Sequence, residues 1–181
     1  MVYVIILIIG IILCICLSAF FSASEMSISS CNELRIENLK DEGDKQGTRA
    51  SYILKKFDDA LSAILIGNNL VNIAASSMGS VLVIMLFKTD AFTWISTVVI
   101  TCLVIIFGET IPKIAAKKNA TRLTLALSSF IKVLMIILKP LIWIVVKLVD
   151  FFTKDMKGEI DDQDDEEAID ELSTIIETAE D

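Results

Sequence analysis

The sequence predicts an all-α membrane protein, and three observations carry that prediction. Residues of the AVILMFWYC set make up 54% of the 181-residue chain, and its mean hydropathy is +0.68, above the range of ordinary soluble domains. Long stretches carry no charge at all: Met1 to Ser24, Ala60 to Phe87 and Ala91 to Gly108. Each reaches, the third barely, the ~20 apolar residues that a helix needs to cross a hydrocarbon core. Lys and Arg gather after the first and third of those stretches and are nearly absent between the second and third, as the positive-inside rule expects of a multi-pass chain.

Taken in order, the first span covers about residues 2–24. Ser22-Ala23-Ser24 imitates a signal-peptidase site, but the run lacks a basic start and is longer than the usual secretory core, so it is read as a span. A basic segment follows, with Arg35, Lys40, Lys45, Arg49, Lys55 and Lys56. Its apolar positions Leu34, Leu39, Ile53, Leu54 and Phe57 predict cytoplasmic helices over about 31–58, broken around Gly43 and Gly47. The second and third spans, about 60–87 and 91–108, are linked by a segment whose only basic residue is Lys88. Lys113, Lys117, Lys118 and Arg122 follow the third. This distribution predicts an N-terminus outside and a cytoplasmic C-terminus.

Residues 121–153 allow two readings, a fourth span or an interfacial belt. Lys132, Lys139, Lys147 and Lys154 recur near a helical period, and Pro140 divides the segment into pieces too short to cross. A kinked, lysine-striped apolar helix on the inner leaflet is the favoured reading. Residues 155–181 are acidic: residues 151–181 hold 13 Asp/Glu against two Lys, whereas residues 1–150 hold 11 Asp/Glu against 14 Lys/Arg. Ala168, Ile169, Leu172, Ile175, Ile176 and Ala179 put a narrow apolar stripe on that tail, which suggests a cytoplasmic helical segment. The organisation expected is therefore a membrane domain over 1–154 and an acidic helical segment over 155–181.

Composition also excludes functions. The chain has no His, which removes His general bases and the nucleophile–His pairs of hydrolases. The four Cys match no zinc spacing. No basic stripe with interleaved aromatics is present, so nucleic acid is not an expected partner, and neither a catalytic residue nor a cofactor-binding loop is expected.

What remains are oxygen-bearing residues inside or at the ends of the spans. Ser18, Ser22 and Glu25 share a face at i, i+4 and i+7, with Ser24 beside them. Asn68, Asn69 and Asn72 lie in the second span, followed by Ser76, Ser77, Gly79 and Ser80. Gly108-Glu109-Thr110-Ile111-Pro112-Lys113 closes the third. Small residues usually serve helix packing, and that is the reading given to Ser18, Ser76, Ser77 and Ser80. Three amides within five residues, and carboxylates at the ends of spans, read as functional. Pro112 offers no N–H to the Gly108 carbonyl four residues earlier, which leaves that oxygen to protein, water or an ion. Hydroxyls, amide oxygens, a carbonyl and one or two carboxylates make a hard oxygen site suited to Mg²⁺, and the spacing suits Na⁺ equally well.

Phe21-Ser22-Ala23-Ser24-Glu25-Met26, Gly67-Asn68-Asn69-Leu70-Val71-Asn72 and Gly108-Glu109-Thr110-Ile111-Pro112-Lys113 together resemble the transmembrane domain of the CNNM/CorC magnesium transporters, whose bacterial members are often called hemolysin-like. The resemblance covers residues 1 to about 155. It implies a homodimer in the plasma-membrane bilayer with three spans, a juxtamembrane belt and Mg²⁺ export, coupled to Na⁺ in some members. It also implies Ser22, Ser24, Asn68 or Asn69, Gly108 and Glu109 as ion ligands. Glu109 would compensate the cation's charge and Pro112 would open the helix, with Glu25 and Asn72 in supporting positions. Relatives usually continue into paired ATP-binding CBS modules. The sequence stops at Asp181 ahead of any such modules, so the resemblance carries no claim of nucleotide regulation for it. The alternative function is a non-transporting Mg²⁺ sensor that regulates other carriers; a membrane-damaging toxin ranks last.

Overall fold

The computed structural model describes residues 1–145, 147 and 148, and every element in it is helical. The helices are α1 (Val2–Ser29), α2 (Glu33–Asp41), α3 (Lys45–Leu54), α4 (Phe57–Phe87), α5 (Thr93–Leu103), a π-helical segment (Val104–Thr110), α6 (Ile111–Lys118) and α7 (Ala120–Ile137). The chain divides into two units, Met1–Ile142 and the part from Trp143 onward. In the described part of the second, Lys147 Nζ lies 5.4 Å from the centre of the Trp143 ring. Lys154 and the acidic segment over 155–181 lie outside the described residues.

Among the described residues, four helices are long and apolar enough to cross a membrane: Val2–Ser29, Phe57–Phe87, Thr93–Lys118 and Ala120–Ile137. Their side chains invert the soluble pattern. Ile5, Ile6, Ile9, Ile12 and Leu13 of α1 are more than half exposed, as expected where lipid and not water surrounds the helix. Packing selects small residues instead. α1 and α4 run antiparallel, with Ile11 and Cys14 against Ala75, and Ile100 and Val104 complete that cluster. A Cβ on Gly79 would lie 1.8 Å from Ile100 Cδ1, so the absence of a side chain there lets α5 lie against α4. Gly79, read from sequence as part of a small-residue surface for packing, has this partner within its own chain.

The basic segment forms a helical pair by capping. Asn32 accepts a hydrogen bond from the Arg35 N–H at 2.9 Å, and Asp44 accepts one from the Gly47 N–H at 2.7 Å, so each helix begins on a side-chain acceptor. Gly43, at φ 83°, takes the left-handed conformation that separates α2 from α3. The break is there alone. Gly47, expected to interrupt the helix, lies inside α3, where a Cβ would come within 2.8 Å of the Lys40 backbone nitrogen; its role is close packing of α2 on α3.

α7 buries Ala120, Thr124, Ser128, Ile131 and Met135 on one face and exposes Phe130, Val133, Ile136 and Ile137. At its start, Thr121 Oγ1 accepts a hydrogen bond from the Asn32 N–H, just beyond the end of α1, at 2.9 Å. In its middle, the Phe130 ring lies 4.7 Å from that of Phe20. Toward its end, Met135 shares a pocket with Lys56 and Asp59 at the start of α4. Because α1 and α4 are antiparallel, the end of one and the start of the other lie on the same side of the bundle. The helix stops at Ile137 and resumes at residue 139, so the interruption expected at Pro140 falls at Leu138, just ahead of the ring that cannot continue the preceding turn.

Candidate functional site

Three helices meet at Ser18. Gly67 lets α4 approach the Phe21 ring, since a Cβ there would lie 2.8 Å from Phe21 Cζ. Gly108 lets the third transmembrane segment approach α1 in the same way, with its would-be Cβ 2.9 Å from Ser18 Oγ. At this crossing the fully buried Ser18 hydroxyl donates to Asn68 Oδ1 at 2.9 Å, and the Gly108 carbonyl oxygen lies 3.5 Å away. A hydroxyl has a single proton to give, and 3.5 Å is at the limit of a hydrogen bond. Asn68 is therefore served first and the Gly108 carbonyl only weakly.

The backbone around Gly108 is itself irregular. Residues Val104–Thr110 are π-helical, and the Ile111 N–H bonds to Ile106 O, five residues back. Pro112 follows at the start of α6, so the regular partner of the Gly108 carbonyl is missing for a covalent reason. π-Helical turns recur at functional sites because they shift carbonyls out of the regular ladder.

Two buried oxygens close to this crossing have no hydrogen-bond partner among the described residues, Ser22 Oγ and Asn72 Oδ1. Ser22 is one turn beyond Ser18 on α1, and Asn72 is one turn beyond Asn68 on α4. Since the helices are antiparallel, the two orphaned oxygens lie on opposite sides of the Ser18–Asn68 bridge along the bundle axis. A buried polar atom without a partner costs roughly 1–3 kcal/mol, and in a lipid-facing bundle no bulk water relieves it. Ser22 is fully buried.

The other sequence-selected residues divide clearly. The Ser24 hydroxyl donates to the Phe20 carbonyl at 2.8 Å, within its own helix. Glu25 pairs with Lys113 at 3.2 Å, tying α1 to α6 where both leave the apolar runs. Glu109 is half-buried, directly after Gly108. Asn69 is exposed, on a different face of α4 from buried Asn68. The structure thus brings together Asn68 and Gly108, with Ser22 and Asn72 one turn away, and turns Asn69 outward. Ser18 is the residue that sequence reasoning assigned to packing. Its signal was available, since it precedes Ser22 by four residues on the same face.

Among the described residues no three His, Cys, Asp or Glu side chains gather. A cation here would meet neutral oxygens and at most a lone carboxylate. A cavity of about 630 Å³ between the far halves of α1 and α4 and α5 is lined by Ile, Leu, Val and Phe side chains with Gly79 and Ser96, and the Ser96 hydroxyl donates to the Thr93 carbonyl of its own helix.

With these features in place, comparison with known proteins is decisive. The family model of the cyclin M (CNNM) transmembrane N-terminal domain matches residues 9–181. The chain belongs to the CNNM family. It is 38% identical over 145 residues to a UPF0053 protein of Haemophilus influenzae, covering 80% of this chain and 33% of that protein. It is 35% identical over 128 residues to the UPF0053 inner membrane protein YfjD of Escherichia coli K12, covering 71% of this chain and 30% of that one. UPF0053 protein YhdT of Bacillus subtilis is 32% identical over 143 residues. The chain spans about a third of the length of these curated relatives. This CNNM domain is a multi-pass membrane protein, and the Ser18–Asn68–Gly108 crossing lies in its apolar bundle.

Proposed function

We propose that this CNNM domain is the membrane part of a Mg²⁺ transporter that works in the export direction with Na⁺ as the coupling ion. The observation that carries the reading is the fully buried, unpartnered Ser22 Oγ one turn from the Ser18–Asn68–Gly108 crossing. An oxygen left unpaired one turn from an under-served carbonyl suits a cation that sheds part of its water, and Mg²⁺ takes oxygen ligands while retaining several waters. Ser22, Ser24, Asn68, Gly108 and Glu109 supply those oxygens, and the Glu109 carboxylate compensates the charge, because an unpaired buried charge is prohibitive. Asn69, turned outward, is the weaker of the two Asn candidates.

The transporter has three spans, α1, α4 and the α5–α6 segment, with the N-terminus outside. α7 lies along the inner leaflet. Its contacts support this, because both of its ends meet the same side of the α1–α4 pair. A homodimer is the working assembly.

The test is flux in liposomes with Mg²⁺ and Na⁺ gradients set independently. The parent protein moves Mg²⁺ down its gradient and against it when a Na⁺ gradient is imposed, and Glu109→Gln loses at least 90% of the flux while retaining its helical content. Mg²⁺-dependent thermal stabilisation without any flux would make the protein a sensor and overturn the transport reading. Unchanged flux in Glu109→Gln would remove that carboxylate from the site.

A further inference from the structure

A second site lies where α4 enters its charge-free run. Tyr52, Lys56 and Asp59 come from the α3–α4 corner, Lys132 from α7 and Lys139 from just beyond it, and together they line a pocket of about 130 Å³. Lys132 Nζ and Lys56 Nζ both lie over the Tyr52 ring, 5.0 and 5.7 Å from its centre. The ring's negative face attracts each ammonium, but it does not neutralise them. The sole carboxylate of the lining, Asp59, is 4.0 Å from Lys56. Three lysines against one aspartate leave two positive charges converging on a concave surface.

The rest of the wall is Met135, Ile136 and Ile142. A pocket with ammonium groups on one side and aliphatic side chains on the other, at the edge of an apolar run, is built for an amphiphile. Basic pockets beside transmembrane helices bind anionic headgroups on this principle. We propose that this pocket binds the phosphate of an anionic phospholipid between Lys56, Lys132 and Lys139, with the glycerol and first methylenes against Met135, Ile136 and Ile142. The aliphatic wall is what selects a lipid over inorganic phosphate, which would gain nothing from it.

The test is native mass spectrometry of the detergent-purified chain with phosphatidylglycerol and phosphatidylcholine of identical acyl chains at equal mole fraction. The parent protein retains phosphatidylglycerol in at least tenfold excess. Each lysine is worth roughly fivefold at an anionic surface, so Lys132→Gln/Lys139→Gln lowers that retention about 25-fold. Lys117→Gln/Lys118→Gln removes the same charge from exposed positions on α6 and leaves it within threefold. Equal retention of the two lipids by the parent, or equal losses in the two double variants, overturns the proposal. Displacement of phosphatidylglycerol by inorganic phosphate at tens of millimolar overturns the lipid assignment. Should the first double variant fail to fold, Lys139→Gln alone changes an exposed side chain and must lower retention about fivefold; no change overturns the proposal equally.

Discussion

Ser18 and Ser22 are chemically identical, equally buried and one turn apart, yet they do opposite things. Ser18 Oγ satisfies Asn68 Oδ1 across two helices, whereas Ser22 Oγ has no partner among the described residues. Replacement by Ala should therefore separate them. Ser18→Ala leaves the Asn68 oxygen unpaired and should destabilise the protein by about 1–3 kcal/mol. Ser22→Ala removes an orphan and should leave stability unchanged or slightly raised, while weakening Mg²⁺-dependent stabilisation, since a ligand of the native state adds stability by mass action. Thermal unfolding in detergent, with and without Mg²⁺, reads both. A loss of stability in Ser22→Ala equal to that in Ser18→Ala would mean that Ser22 has a structural partner and no vacancy for an ion.

At the scale of elements, α2 and α3 are joined by a fan of contacts on Glu37. Its carboxylate takes hydrogen bonds from Lys40 and Ser51 and lies 3.9 Å from Lys55. The Lys40 hydrogen bond, first among these, holds the Glu37 carboxyl below the usual glutamate range. A depressed folded-state pKa stabilises the pair above the unfolded value, and that contribution is lost as pH falls through the folded value. Amide protection factors in α2 and α3, taken against the intrinsic rates at each pH, should thus fall below about pH 4 in the parent, and Glu37→Gln should flatten that acid dependence. The effect is small because the group is exposed to solvent and exposed ion pairs contribute little. An acid dependence unchanged in Glu37→Gln would assign it to another group.

α7 is the element whose length leaves its placement open and whose contacts bear on it. Its 18 residues extend about 27 Å, close to the thickness of a hydrocarbon core, and it is apolar enough to span. Its contacts run from Asn32 past Phe20 to Lys56, which supports the proposed inner-leaflet placement. In a background lacking Cys14, Cys16, Cys31 and Cys102, thiols placed at Lys118 and Lys139, on either side of α7, should both react with an impermeant reagent from the cytoplasmic face. Reaction from opposite faces would make α7 a fourth span.

For the whole molecule, the bundle reads as a membrane protein turned around its small residues. Gly67, Gly79 and Gly108 each sit where a Cβ would strike a neighbouring helix, and large aliphatic side chains face outward. The consequence is that packing and chemistry share the same contacts: Gly108 both admits α1 and presents its carbonyl to Ser18. The Glu25–Lys113 pair, 3.2 Å across the same two segments, fastens them one to two turns further along.

Hydrophobic length and charge spacing determined the helical class, the three charge-free segments and the membrane setting, because those properties follow from transfer free energy and need no knowledge of neighbours. The GNN and GETIP segments marked where polar groups would be expensive, again from local composition. Only the tertiary structure separated Asn68 from Asn69, since which amide faces inward depends on the rotation of α4 set by Phe21 against Gly67. Only it drew Ser18 into the crossing and showed the π-helical register before Pro112. A hydroxyl reads alike in sequence whether it fills space or holds an amide; the difference lies in a partner 50 residues away, which no local pattern encodes.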